Sequence, residues 1–317
     1  MTLLNIPSPS INSFSIGPLT IHFYALCILL GIFLGWSLAR RRFVNRGGHS
    51  ESMETMVVAA VLAGIVGARV YHVLTRWQDY FGAGRDPWSA LRIWEGGLGI
   101  IGGVTFGAVV VLVHCRRHHY SFPTMADVFA PGILLAQGVG RLGNWFNQEL
   151  FGKPTSLPWG LEIDTEHRPR DFRQYETFHP TFLYEMLWNF GGVGVLLWAE
   201  KRFRLGNGRV FMLYVAWYGL GRFLMEQLRL DPANLVLGLR INGFAALVLV
   251  VIGVVGFGLL GIFRPGVVAD PFAGDEDTTP AAGAEDGTSV DALPLPAEGP
   301  GDEVEPEPSE PETRART

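Results

Sequence analysis

The sequence is poor in cysteine, in lysine and in charge of either sign. Its two cysteines, Cys27 and Cys115, lie in or beside apolar runs. They exclude a disulfide framework and read as small buried thiols. Lysine occurs only at Lys153 and Lys201, so nearly all the positive charge is arginine. Charged residues make up 17% of the 317 positions against 48% apolar, too few to cover a water-soluble globule of this length. Nucleotide and metal devices are missing as well. There is no G-x-x-x-x-G-K-[ST] loop, no H-E-x-x-H, no C-x-x-C and no D-G-x-x-A-R…G-x-x-x-D-x-x-x-D set, and no metal or cofactor is expected. No cleavable leader is expected either, because the apolar run beginning near Leu19 lacks a short basic stretch before it.

The charge that is present is unevenly placed. From Arg264 onward the chain carries 14 acidic and 3 basic residues and nine of its 20 prolines. A segment so acidic, proline-rich and poor in aromatics cannot bury enough surface to fold. Residues 264–317 are therefore expected to be a disordered tail, and residues 1–263 a basic, apolar body.

That body contains seven runs near the ~20 residues needed to cross a bilayer, at about 19–39, 55–75, 98–114, 124–141, 181–199, 208–227 and 241–262. In lipid a chain must satisfy its own backbone, which favours helices, so the expected fold is all-α with seven transmembrane helices. Basic clusters follow the first run (Arg40, Arg41, Arg42, Arg46), the third (Arg116, Arg117) and the fifth (Lys201, Arg202, Arg204). The positive-inside tendency then sets the N-terminus outside and the acidic tail in the cytoplasm. Trp77, Trp88, Trp94, Trp145, Trp159 and Trp217 are expected near the outer boundary as an aromatic belt.

Several ionisable residues interrupt these runs, and at membrane depth such groups are costly and usually functional. Tyr218, Arg222 and Glu226 are spaced i, i+4, i+8 and share one helix face. The run G-V-G-R-L-G-N-W-F-N-Q-E-L-F-G, from Gly138 to Gly152, sets Arg141, Asn144 and Glu149 among glycines and aromatics. Arg69 lies in G-A-R-V-Y, where snorkelling explains it as well as ligand binding. Tyr24 lies just inside the first run. Glu185, in H-P-T-F-L-Y-E, needs a partner. A planar guanidinium suits a phosphate because its fork binds two oxygens at once.

The run Gly140–Gly152 resembles the signature of the bacterial prolipoprotein diacylglyceryl transferases, G-R-x-G-N-[FW]-x-N-x-E-x-x-G. The resemblance extends over about 240 residues through Tyr24 in H-F-Y-A-L, G-A-R-V-Y at 67–71, W-E-G-G at 94–97, H-P-T-F-L-Y-E at 179–185 and Y-G-x-x-R-F-x-x-E at 218–226. It implies a seven-span plasma-membrane enzyme. Such enzymes move the diacylglyceryl group of phosphatidylglycerol to the lipobox cysteine of a preprolipoprotein. A thioether forms and glycerol-1-phosphate leaves, the first step of bacterial lipoprotein maturation. It also implies Arg141, Arg222 and Glu226 as catalytic residues, with Arg141, Asn144, Glu149, Tyr24, Tyr218 and Arg69 around phosphatidylglycerol. Glu149 and Glu226 are expected to fix the two arginines.

One departure concerns the thiol proton. Family members often carry G-G-x-x-x-H-G-G before the third span, and Ile101 occupies the histidine position here. Spontaneous ionisation beside two arginines or a base elsewhere (Glu226, Glu149 or His179) would replace it. Two other classes fit the buried arginines less well. A metal-dependent lipid phosphotransferase needs paired acidic ligands, and a carrier built of two equal repeats needs an even span count.

Overall fold

The computed structural model describes residues 5–17, 19–230, 235–236 and 239–263, so the acidic stretch 264–317 lies outside the described residues. A hairpin of β1 (Ser13–Ile16) and β2 (Leu19–His22) leads into α1 (Phe23–Val44), α2 (Ser50–Thr75), the short α3 (Trp77–Phe81), α4 (Ile100–Arg117) and α5 (Phe122–Phe146). The pair β3 (Leu161–Glu162) and β4 (Thr177–Phe178) precedes α6 (Thr181–Phe203) and α7 (Arg209–Glu226). A last pair, β5 (Leu235–Val236) and β6 (Leu239–Arg240), precedes α8 (Ile241–Phe263). All three strand pairs are antiparallel.

Among the described residues seven helices have 18 residues or more, and six are long and apolar enough to cross a membrane. The other is α7, which holds Arg209, Arg222 and Glu226 within its 18 residues. Leu29, Val58, Leu62, Val104 and Val254 are each more than half exposed. Exposed apolar side chains on helices of this length fit a lipid covering.

Several expected limits move by four or five residues, and two of these changes bear on the site. The first run does not begin as helix at Leu19. Gly17 turns the chain with φ +59°, and Leu19–His22 pairs with Ser13–Ile16 before α1 begins at Phe23. The fourth helix does not stop at Arg141 but continues to Phe146. Arg141 and Asn144 therefore stand on helix. The tryptophans also divide. Trp77, Trp88, Trp94 and Trp159 are exposed, as a belt requires, whereas Trp145 and Trp217 turn inward.

Small residues set the helix pairing. On α1, Gly31 and Gly35 lie against the backbone of Ala136 and Gly132 on α5, where a Cβ would stand 2.8 and 2.6 Å from carbonyl oxygens. Gly67 of α2 meets Gly102 of α4, and Gly219 of α7 meets Ala246 of α8 in the same way. This is the small-residue packing of apolar helices that lack a hydrophobic drive toward one another.

At the end bearing the basic clusters, Ala39, Phe43, Met53, Met56, Cys115, Tyr120, Met125 and Val128 form a core joining α1, α2, α4 and α5. Arg42 there binds Glu200 of α6 with two N–H groups (2.5 and 3.0 Å) and the carbonyls of Asp127 and Val128 with others, and Arg46 also pairs with Glu200. Asp127 of α5 accepts from the backbone N–H of Gly208 and Phe211, each at 2.8 Å. Gly208 is the N-cap residue of α7, at φ +90°, and has no side chain to cap with. Asp127 supplies the cap from a neighbouring helix.

At the opposite end, residues 147–180 fold over the helices. Phe151, Leu161, Ile163, Phe178 and Phe182 make a small core there, with Ile6, Leu142 and Trp145 packed against it. Gln148 fastens it: its Oε1 accepts from the Asp164 N–H at 2.8 Å and its Nε2 donates to Asp164 Oδ2 at 2.6 Å.

Candidate active site

Helices α5, α6 and α7 enclose a cavity in the half of the bundle away from the basic clusters. Arg141, Glu185, Trp188, Asn189, Tyr218, Gly221, Arg222 and Met225 line this small, partly open space. The i, i+4 spacing of Tyr218 and Arg222 on α7, and of Glu185 and Asn189 on α6, turns both pairs to this one space. Tyr218 and Arg222 come from one sequence motif and Arg141 from the other.

Each arginine is gripped by one carboxylate. Arg141 Nε is 2.5 Å from Glu185 Oε2, with the side chains 24% and 11% exposed. Arg222 Nη2 is 2.8 Å from Glu226 Oε2, with Glu226 fully buried. Glu226 Oε1 accepts from Arg240 Nε at 2.8 Å and from Asn242 Nδ2 at 3.4 Å, so it is clamped between two guanidinium groups. The expected Arg222–Glu226 pair is thus present as an ion pair within α7. For Arg141 the partner differs from the expected one. Glu149 accepts from Asn144 Nδ2 (2.8 Å) and Asn147 Nδ2 (3.3 Å), and Glu185 holds the arginine.

Aromatic rings make the cavity wall rigid. Trp188 and Trp217 stack at 4.5 Å between centroids. Each indole N–H donates to the other residue's carbonyl, at 3.2 and 3.1 Å, locking α6 to α7. Gly221 allows this approach, since a Cβ there would stand 2.2 Å from Trp188 Nε1. Tyr24 rests on Gly143, where a Cβ would lie 2.5 Å from its ring. The half-buried tyrosine thus rests on the residue that precedes Asn144, and neither Tyr24 nor Asn144 lines the cavity.

Arg69 lies elsewhere. Its guanidinium donates to the carbonyls of Ser89, Ala90, Gly96 and Gly97 at 2.5–3.1 Å and covers the Tyr80 ring at 5.1 Å. It ties the 86–97 loop to α2 and borders a separate, mostly aliphatic cavity with Ile65, Val66, Val70, Leu91 and Ile93. The work found for it is structural, a third reading beside snorkelling and ligand binding. Ile101 is 61% exposed on the first turn of α4. His179 shares a hydrogen bond with the Tyr184 hydroxyl at 3.2 Å. Partial burial, and then the Lys153 charge, push its imidazole below the usual histidine value, so it is neutral at pH 7. Among the described residues no group of three His, Cys, Asp or Glu could hold a metal ion.

Sequence reasoning omitted Asn189 and Arg240 and gave Glu185 no role. Glu185 carried a signal, a carboxylate inside an apolar helix. Arg240 carried none, because it is 14 positions from Glu226 and no helical spacing links them.

A family model described as prolipoprotein diacylglyceryl transferase matches residues 12–259. A protein of Cutibacterium acnes named phosphatidylglycerol–prolipoprotein diacylglyceryl transferase is 56% identical over 245 residues, 77% of this chain and 83% of its own. One of two so named in Streptomyces coelicolor is 51% identical over 268 residues, 84% of each chain. The one from Corynebacterium efficiens is 48% identical over 271 residues, 82% of this chain and 84% of its own. With its apolar helices and its paired arginines, the chain is a membrane protein belonging to the prolipoprotein diacylglyceryl transferase family.

Proposed function

We propose that this protein transfers the diacylglyceryl group of phosphatidylglycerol to the thiol of the lipobox cysteine in a preprolipoprotein, leaving a thioether and glycerol-1-phosphate. The observation that carries the reading is the convergence of Arg141 and Arg222 on one cavity, each gripped along one edge by a carboxylate. Arg141 is held through Nε and Arg222 through Nη2, so further N–H groups of each fork remain to meet phosphate oxygens.

The chemistry follows from charge. The sulfur attacks the glyceryl carbon, the carbon–oxygen bond breaks, and its electron pair goes to an oxygen of the phosphate. The head group passes from one negative charge toward two. Two fixed guanidinium groups in a low-dielectric cavity stabilise that increase more than they stabilise the bound lipid, which is the condition for catalysis. Tyr218 and Asn144 orient the head group, with Tyr24 beside them. Glu149 fixes the Asn144 amide, and Glu226 fixes Arg222.

The seven long helices, α7 included, span the plasma membrane. The clusters at Arg40–Arg46, Arg116–Arg117 and Lys201–Arg204 face the cytoplasm by the positive-inside tendency. This sets the N-terminus and the 147–180 cap outside, where a secreted preprolipoprotein arrives, and the acidic tail inside. The test is transfer from phosphatidylglycerol to a lipobox peptide by Arg141→Ala and Arg222→Ala. Both should lose activity by at least 10²-fold, and near-normal turnover by either would refute the assignment.

A further inference from the structure

The assignments above leave the thiol proton without an acceptor. The three carboxylates close to the arginines differ in their charged partners and in whether they line the cavity. Glu226 pairs with Arg222 through Oε2, accepts from Arg240 and Asn242 through Oε1, and is fully buried outside the cavity lining. Glu149 accepts from two amides through Oε1 and is exposed outside the cavity lining. Glu185 meets Arg141 through Oε2, and its Oε1 has no hydrogen-bond partner among the described residues. Among those residues it is also the one carboxylate that lines the cavity.

On the diacylglyceryl-transfer reading, we infer that Glu185 is a catalytic residue that takes the proton from the lipobox thiol and returns it to the departing phosphate. The S–H proton passes to Glu185 Oε1. The thiolate forms the carbon–sulfur bond as the carbon–oxygen bond breaks, and glycerol phosphate departs as a dianion. The carboxylic acid then protonates a phosphate oxygen and Glu185 re-forms its pair with Arg141. No proton is gained or lost overall.

The energetic order allows this cycle. In water a thiol stands about four pKa units above a glutamic acid, and two arginines beside the sulfur narrow that gap by favouring the thiolate. A phosphate monoester, with a second pKa near ~6, draws the proton onward. A phosphate bound to Arg141 also weakens its hold on Glu185, so the lipid primes its own base. The charged and titratable groups sharing the cavity with Glu185 are Arg141 from α5 and Tyr218 and Arg222 from α7.

The test compares the unaltered protein with Glu185→Gln on cysteine and selenocysteine lipobox peptides between about pH 6 and 9, with phosphatidylglycerol binding measured alongside. With cysteine peptide near neutral pH, Glu185→Gln should lose activity by about 10²–10⁴-fold, the usual worth of a general base. The loss should shrink about tenfold per pH unit as the thiol ionises unaided, and the selenocysteine peptide, already ionised, should recover most of it. Lipid binding should change only a few-fold. If Glu185→Gln folds poorly, Glu185→Asp retains a carboxylate, and it should keep the unaltered protein's pH profile at reduced rate. Equal losses on both peptides with an unchanged pH profile, or near-normal cysteine transfer by Glu185→Gln, would overturn the inference and leave Glu185 as a positioning residue for Arg141. Absence of any thioether product from the unaltered protein would instead overturn the transferase reading on which this rests.

Discussion

Arg222→Lys isolates geometry from charge. Lysine keeps the positive charge, and its ammonium can still reach Glu226, whose Oε2 lies 2.8 Å from Arg222 Nη2. What it loses is the planar fork that grips a carboxylate on one side and a phosphate on the other. The deficit is about one charge-assisted hydrogen bond, roughly 1.5–3 kcal/mol. At about 1.36 kcal/mol per tenfold, that is on the order of 10–150-fold in kcat/KM. Because the phosphate gains charge only as the carbon–oxygen bond breaks, the loss should fall mainly on kcat. The assay is steady-state transfer from phosphatidylglycerol in mixed micelles to a fluorescent lipobox peptide, with kcat and KM separated by varying the lipid fraction. A variant within twofold of the unaltered protein would refute the reasoning. A rise in KM with kcat unchanged would do so too, showing that Arg222 only binds the ground state.

Three further outcomes are expected. Gly221→Ala forces a Cβ to 2.2 Å from Trp188 Nε1 and must break the reciprocal Trp188–Trp217 bonds. It should cost about 1–3 kcal/mol of stability and reduce turnover, read by thermal unfolding in detergent and by the transfer assay. Asp127→Ala leaves the N–H groups of Gly208 and Phe211 without their acceptor, which should cost about 1–3 kcal/mol by the same unfolding measurement. His179 is held below its usual pKa by burial and Lys153, so the unfolded chain binds its proton first as pH falls. Stability should be fully present above pH ~6.5 and decline below it, and a His179→Asn variant should show a shallower decline over that interval.

How much of this was legible in the sequence depended on how local each contact is. Arg222 and Glu226 are one helical turn apart, so their pairing follows from spacing alone. Arg141 and Glu185 sit on different helices, and the Gly140–Gly152 motif offered Glu149 as the nearer partner. Only the packing of α5 on α6 selects Glu185. The β1–β2 hairpin was obscured because Leu19–His22 is apolar enough to merge with the following helix, although Gly17 and Pro18 mark a turn in sequence. Trp217 looked like a belt residue because tryptophan composition does not reveal direction. Its site opposite Gly192, where a Cβ would stand 2.3 Å from its Nε1, does. Arg69 was ambiguous for a related reason. Backbone carbonyls satisfy it, and no side-chain pattern encodes carbonyls.

The central claim is tested most directly by incubating the purified protein with phosphatidylglycerol and a synthetic lipobox peptide and weighing the peptide. The expected result is a gain equal to diacylglycerol minus water, present in chelator and abolished when the peptide cysteine is replaced by serine. An unmodified peptide, or the same gain on the serine peptide, would contradict it.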